Sequence, residues 1–245
     1  MNILSQSQLA ELQQFDGPTV CNALEAFNCR PKNTGFMKPG MLPQIPLDKP
    51  MIGYAATAKV SSMSPGRPEN AELLMGYYES VLNMADPTIS VIQDTDPEPC
   101  GSFWGEVQAT LHKTMGVVGT ICTSGVRDIK EVAELGFGFF SNELRISHGY
   151  IHVENYNCPV NVCGLTVTPG DLLFADRHGV VCIPHAVAPS LARICREIAN
   201  AELPMLEPTR ALLKTGQKPT MDQIRAWRKG MEEARKKVTK LIEEI

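Results

Sequence analysis

The spacing of apolar positions changes between two periods along the chain, and each change marks an element. Leu9, Leu12 and Phe15 recur at helical spacing, Asp16-Gly17 interrupts them, and Pro18 opens a second helix through Leu24 and Phe27. A punctuated loop occupies Arg30 to Pro50. Met51 to Ser61 (MIGYAATAKVS) alternates and is β-prone, residues 68–84 place Leu73, Leu74, Tyr77 and Val81 on one helical face, and TISVIQ (88–93) reads as a buried strand. A polar loop from Asp94 to Ser102 leads into a helix predicted over 103–115, stopped at Gly116, where glycine suits a left-handed C-cap. The strand VVGTIC (117–122), a turn through Thr123-Ser124-Gly125-Val126-Arg127, a helix over 128–135 ended by Gly136, and a strand from Phe137 to Phe140 follow. This alternation predicts an α/β fold with two helix N-termini at one side of a sheet, where such folds often hold ligands.

From Ile146 to Pro184 the helical period disappears and turn signals recur at Asn157-Cys158-Pro159, Pro169-Gly170-Asp171 and Asp176-Arg177-His178-Gly179, predicting strands joined by tight turns. Pro189 then opens a helix with Leu191, Ile194 and Ile198 on one face, predicted to end near Pro204, and a shorter helix runs from about Pro208 to Gly216. Ile224, Trp227, Met231, Ala234, Val238, Leu241 and Ile245 form a heptad stripe, started by a Thr220/Gln223 capping box. That stripe suits equally a helix packed within its own chain and one packed between subunits.

Composition narrows the classes. The chain of 245 residues is 43% hydrophobic and 20% charged, with 23 basic and 27 acidic side chains, so it is a folding-competent globular sequence. No overall positive field is present to attract nucleic acid, and no apolar run reaches the roughly 20 residues of a membrane helix. Residues 219–245 hold seven basic and five acidic side chains, so the remainder is the more acidic part. The start MNILSQSQLAELQQ lacks a basic segment followed by an apolar core, which predicts a cytoplasmic protein. The eight cysteines are read as buried thiols, since the closest pair, Cys158 and Cys163, lacks zinc-knuckle spacing.

Common nucleophile and nucleotide signatures are missing: there is no GxSxG, GxxxxGK or GxGxxG. His148 and His152 are four apart, but in a strand-like stretch, and His178 falls in a turn; neither arrangement suggests a metal site or a base. Glu106, Arg127 and Asp128 are more informative. Glu106 suits the first turn of a helix, and Asp128 with Glu131 forms a D-x-x-E helix start. Arg127 stands at the wrong end of a helix dipole unless an anion meets it there. An arginine, helix N–H groups and two carboxylates together suit a carboxylate ligand and a hard divalent cation.

With twenty residues between Glu106 and Arg127, the segment GEVQATLHKTMGVVGTICTSGVRD resembles the family of RraA-like proteins and class II 4-hydroxy-4-methyl-2-oxoglutarate (HMG/CHA) aldolases. PTVCNALEA, IGYAATAKV and VTPGDLLFADRHGVVCIP agree with it, and the resemblance covers roughly residues 9–200. It implies an α-β-β-α sandwich of the swivelling phosphohistidine-domain type in residues 1–204, followed by a C-terminal helical extension over 205–245. It also implies a homo-oligomer, trimer or hexamer, with sites between subunits, a small 2-oxo acid substrate, and no nucleic-acid or membrane partner. Carried over, Asp128 holds Mg²⁺, Mn²⁺ or another divalent cation largely through water, Glu106 orients a metal-bound water, and Arg127 grips the substrate. Gly101, Ser102, Phe103, Trp104 and Gly105 form the substrate loop, whose amides at a helix N-terminus complete the carboxylate site. The implied activity is a metal-dependent pyruvate aldolase with oxaloacetate decarboxylation; the alternative within the family is a protein-binding regulator of ribonuclease activity.

The sequence departs from the family pattern in places. Glu106 stands where many members have Asp, Ala85-Asp86-Pro87 replaces a Pro-Gly-Asp turn, and Phe103 and Trp104 bring bulk to the substrate loop. An aldolase of this family also borrows a C-terminal glutamate from a neighbour, for which Glu202 and Glu207 are candidates.

Overall fold

The computed structural model describes residues 3–245. The chain begins with α1 (Gln6–Leu12) and α2 (Gly17–Phe27) and continues through β1 (Leu42–Pro43), β2 (Met51–Ser61), α3 (Asn70–Leu82), β3 (Thr88–Asp94), β4 (Ser102–Trp104) and α4 (Glu106–Thr114). Next come β5 (Val117–Cys122), β6 (Gly125–Val126), α5 (Ile129–Glu134), β7 (Gly138–Ser141) and β8 (His152–Tyr156). Strands β9 (Val160–Val162), β10 (Leu165–Val167), β11 (Leu172–Asp176) and β12 (Gly179–Ile183) precede the helices α6 (Ala188–Thr215) and α7 (Met221–Glu243). Two compact units emerge: Asn33–His185 holds every strand, whereas Leu4–Lys32 and Ala186–Ile245 hold α1, α2, α6 and α7.

The strand unit is built on a mixed sheet of order β1-β7-β5-β3-β2-β11-β12, with β8 also on β2. The pairs β2–β3, β3–β5 and β5–β7 are parallel, while β11 joins β2, and β12 joins β11, antiparallel. The period-two alternation of β2 sends Ala56, Ala58 and Val60 to one apolar layer and Met51 and Ala55 to the other. The first layer takes Tyr77 and Val81 from α3, Ala109 from α4 and Val132 from α5; the second takes Val160, Val162, Leu165 and Val167 from the β9–β10 hairpin. The α/β class is therefore as the sequence indicates.

Three local expectations are corrected. The helix predicted over 103–115 starts at Glu106, because Ser102–Trp104 pairs as a strand with β6 and Gly105 is extended. The two helices predicted around Pro204 and Pro208 are one 28-residue helix, so the boundary expected between 204 and 205 falls inside an unbroken element. An interior proline costs a helix about 3 kcal/mol in isolation. In the helical unit Pro204 packs close to Gly230 of α7, whose missing side chain leaves room, and Thr209 Oγ1 donates to the carbonyl of Met205 at 2.8 Å. The third correction concerns the cysteines: all eight are free thiols, but only Cys122 and Cys195 are buried, and Cys29 and Cys100 are exposed.

The heptad stripe belongs to α7, where Thr220 and Gln223 form the anticipated capping box, and α7 packs on α6 within the helical unit. Among the described residues no helix is long and apolar enough to cross a membrane.

Candidate functional site

Strands β4 and β6 pair in parallel, Ser102 opposite Gly125 and Trp104 opposite Val126, so the residues that follow them emerge side by side. The register is locked one step further by the Arg127 amide, which donates to the Trp104 carbonyl at 3.1 Å. Gly105-Glu106 and Arg127-Asp128 thus form one corner, twenty-odd residues apart in sequence but adjacent in space. The structure brings together the three residues singled out from the sequence.

Asp128 does not play the role its D-x-x-E pattern suggested. Its backbone is left-handed (φ 58°, ψ 42°) and its side chain caps no amide of α5. Instead Asp128 Oδ2 accepts from the Glu106 amide, the first of α4, at 3.0 Å. A carboxylate there meets the positive end of a neighbouring helix. Non-glycine residues in this backbone region are uncommon, with Asp and Asn the best tolerated, and they concentrate at functional sites.

Gly105 makes this approach feasible. A Cβ on it would stand 2.5 Å from Asp128 Oδ2 and 3.1 Å from Arg127 Nε, so any side chain would push the corner apart. Arg127 Nε lies 3.8 Å from Asp128 Oδ2, beyond hydrogen-bond distance, and about a third of each side chain is open to solvent (36% and 40%). Among the described residues the guanidinium has no other polar partner. Its planar fork is therefore available to a carboxylate, as its position before a helix start implied.

The segment 101–105, expected to form a substrate loop, is arranged differently from that expectation. Phe103 and Trp104 point into the core, 7% and 0% exposed, so their bulk does not line the corner. Trp104 packs on Phe137, Phe139 and the ring of His112 at 4.6 Å. Burial pushes His112 down to about 4, and its Nε2 lies 3.1 Å from Tyr77 Oη. Two of the amides expected to hold a carboxylate are taken: Gly101 N donates to Ser62 Oγ at 3.1 Å and Ser102 N to the Ser147 carbonyl at 3.1 Å.

Ser62 is the residue that sequence reasoning missed. Its hydroxyl also accepts from Cys100 N at 3.1 Å, and it reaches Asp96 Oδ2 at 3.2 Å, so one side chain ties the start of β4 to the end of β3. Burial pushes the Asp94 carboxyl up to about 6, with the nearby charge of Asp96 adding to it. For Asp96 burial acts upward too, but hydrogen bonds from Ser62 N, Ser61 Oγ, Met63 N and Ser62 Oγ outweigh it and lower the group. The available signal was Asp-Thr-Asp directly after the buried strand.

Two other candidates are placed by the helical unit alone. Glu202 pairs with Arg235 of α7 at 3.2 Å, whereas Glu207 is exposed and in no ion pair among the described residues. The histidines at 148 and 152 gather no further ligands, and no group of three or more His, Cys, Asp or Glu side chains suited to a metal occurs among the described residues.

The donor set suits a mostly hydrated cation. Asp128 and Glu106 are exposed carboxylates at one corner. Mg²⁺ characteristically takes one or two carboxylates and keeps several waters, completing its octahedron with substrate oxygens. The residues present therefore fit such a cation and do not fit a closed, all-protein cage.

An α/β sheet with an Arg-Asp corner facing a glycine-started helix defines the class, and comparison with known proteins specifies it. The model of the Aldolase/RraA family (RraA-like) matches residues 18–182, and the chain belongs to that family. It is 26% identical over 183 residues to a Halalkalibacterium halodurans protein provisionally named a 4-hydroxy-4-methyl-2-oxoglutarate aldolase, covering 74% of this chain and 80% of that one. Its fold is similar to that of an uncharacterised Pseudomonas syringae protein (TM-score 0.67, 20% identity, 96% of each chain). It is also similar to Streptomyces coelicolor RraAS2, described as an unusual member of the RNase ES inhibitor RraA protein family (TM-score 0.65, 20% identity, 86% of this chain and 98% of that one).

Proposed function

We propose that the protein is a divalent-metal-dependent carbon–carbon lyase that cleaves a 4-hydroxy-2-oxo acid such as 4-hydroxy-4-methyl-2-oxoglutarate to pyruvate, and decarboxylates oxaloacetate at the same site. The observation that carries this reading is the corner itself: Arg127 with an unengaged guanidinium beside Asp128, whose carboxylate is fixed on the first amide of α4.

Arg127 binds the substrate carboxylate and its adjacent keto oxygen, setting the 2-oxo acid against the corner. Asp128 is the residue that would hold Mg²⁺ or Mn²⁺, largely through water, with the Glu106 carboxylate beside it. A bound divalent cation supplies Lewis-acid stabilisation of the enolate charge, so no lysine Schiff base is required. Glu106 orients the water that accepts the C4 hydroxyl proton. As the C3–C4 bond breaks, its electrons pass to the C2–C3 enolate and C4 leaves as a carbonyl; the proton returned to C3 completes pyruvate. Oxaloacetate loses carbon dioxide to give the same enolate, which takes its proton from water.

The reading also includes a homo-oligomer in which Glu207, the unpaired one of the two C-terminal candidates, serves a neighbouring site. Pyruvate release is measured from both substrates with Mg²⁺ and again after chelation. Release that chelator abolishes and added Mg²⁺ restores is the expected result. Absence of release from both, or release indifferent to chelator, overturns the proposal and favours the regulatory role of the ribonuclease-inhibitor branch.

A further inference from the structure

The strand unit also forms an open cavity of about 430 Å³ between the segment Met37–Gln44, Asn142 and His178, which shares no lining residue with the Arg127 corner. That size is within the range of small-molecule sites, which combine apolar walls with a few convergent polar groups. The walls here are Met37, Met41 and Leu42. Four polar side chains also line it. Gln44 spends its amide N–H groups on the Leu42 and Ser141 carbonyls at 3.4 and 2.8 Å, and the other three each have a free function. Lys38 enters no ion pair or side-chain hydrogen bond among the described residues, although its stem is laid along Gly164, where a Cβ would come 2.9 Å from Lys38 Cδ.

Asn142 offers its amide N–H groups, since its Oδ1 is the atom near Cys163 Sγ at 3.7 Å. His178 is oriented by Asp176, which accepts from the His178 backbone amide at 2.8 Å and from Nδ1 at 3.0 Å. With Nδ1 donating to a carboxylate, the neutral ring presents Nε2 as an acceptor. No acidic residue lines the cavity, and Asp176 is buried behind His178. Beside Gln44, whose N–H groups are engaged, the set is thus one cation, one amide donor, one imidazole acceptor and an apolar wall.

We propose that this cavity is a second ligand site, one that binds a small branched hydroxy carboxylate. The carboxylate meets Lys38 and the Asn142 amide, the hydroxyl donates to His178 Nε2, and the alkyl branch lies against the methionines. A site built to accept from a hydroxyl discriminates strongly against an analogue that lacks it.

The test follows the histidine ring resonances by NMR, five in all, on the full chain titrated with 2-hydroxy-3-methylbutanoate and with 3-methylbutanoate. The His178 signal is assigned with His178→Gln. Saturable, millimolar binding that shifts the His178 resonance is expected, about tenfold weaker for the analogue without the hydroxyl and at least about tenfold weaker in Lys38→Met. Lys38 is exposed, so Lys38→Met keeps the fold, which circular dichroism checks. Arg127→Met serves as the second control and leaves this binding unchanged. No shift at millimolar concentrations, equal binding by Lys38→Met, or loss of binding in Arg127→Met overturns the proposal.

Discussion

The short strand β4 carries the glycine start of the candidate site, and its two ends are held by opposite chemistry. At its C-terminal end Trp104 is sealed in an aromatic cluster with Phe137, Phe139 and His112. At its N-terminal end the Cys100 and Gly101 amides hang on one hydroxyl, that of Ser62, which leans on Asp96. Apolar burial is strong and non-directional, with His112 the one member of the cluster that titrates, whereas the hydroxyl hub is weaker, directional and coupled to carboxylates. The strand is anchored firmly beside Arg127 and Asp128 and adjustably at the far end.

The largest break in this comparison is Trp104→Ala, which empties the cluster and is expected to cost about 3–5 kcal/mol in denaturant unfolding. Ser62→Ala is expected to cost less, about 1–3 kcal/mol, because it strands two amides rather than opening a cavity. Its effect is local: hydrogen exchange speeds up at residues 100–102 while β3 and β5 stay protected. Equal global losses in the two variants would erase the distinction.

The pH dependence is smaller, because two buried groups oppose each other. Asp94, raised to about 6, favours the folded protein at low pH, and this stability is lost as pH rises from about 4 through 6. His112, lowered to about 4, must stay neutral in the fold, so its contribution is lost as pH falls from about 6.5 toward 4. The wild-type stability is expected to be nearly flat over pH 4–6 as far as these groups decide it. Asp94→Asn should leave a profile that rises with pH, and His112→Gln one that falls, in thermal melts across that interval.

The alternating pattern of β2 and the turn chemistry of 146–184 were legible because one-dimensional periodicity records which face of a strand is buried. The helix start at Glu106 was not, since Phe103 and Trp104 join a strand only through pairing with β6, a partner more than twenty residues away. Arg127 could be singled out locally, because its charge conflicts with the helix dipole. The role of Asp128 could not: its cap pattern points to α5, and only the parallel β4–β6 pairing delivers its carboxylate to α4. Ser62 carries no sequence signal of its own, being one hydroxyl after a strand, and the cavity beside His178 exists only once three separate segments meet.

The central claim is that the charge of Asp128, held at the start of α4, is required for a metal-dependent cleavage. Asp128→Asn separates charge from structure, since asparagine tolerates the left-handed backbone and keeps an oxygen for the Glu106 amide. Pyruvate release from 4-hydroxy-4-methyl-2-oxoglutarate with saturating Mg²⁺ is predicted to fall by about 10²–10³-fold in this variant with an unchanged unfolding midpoint. A variant that releases pyruvate at the wild-type rate would contradict the account.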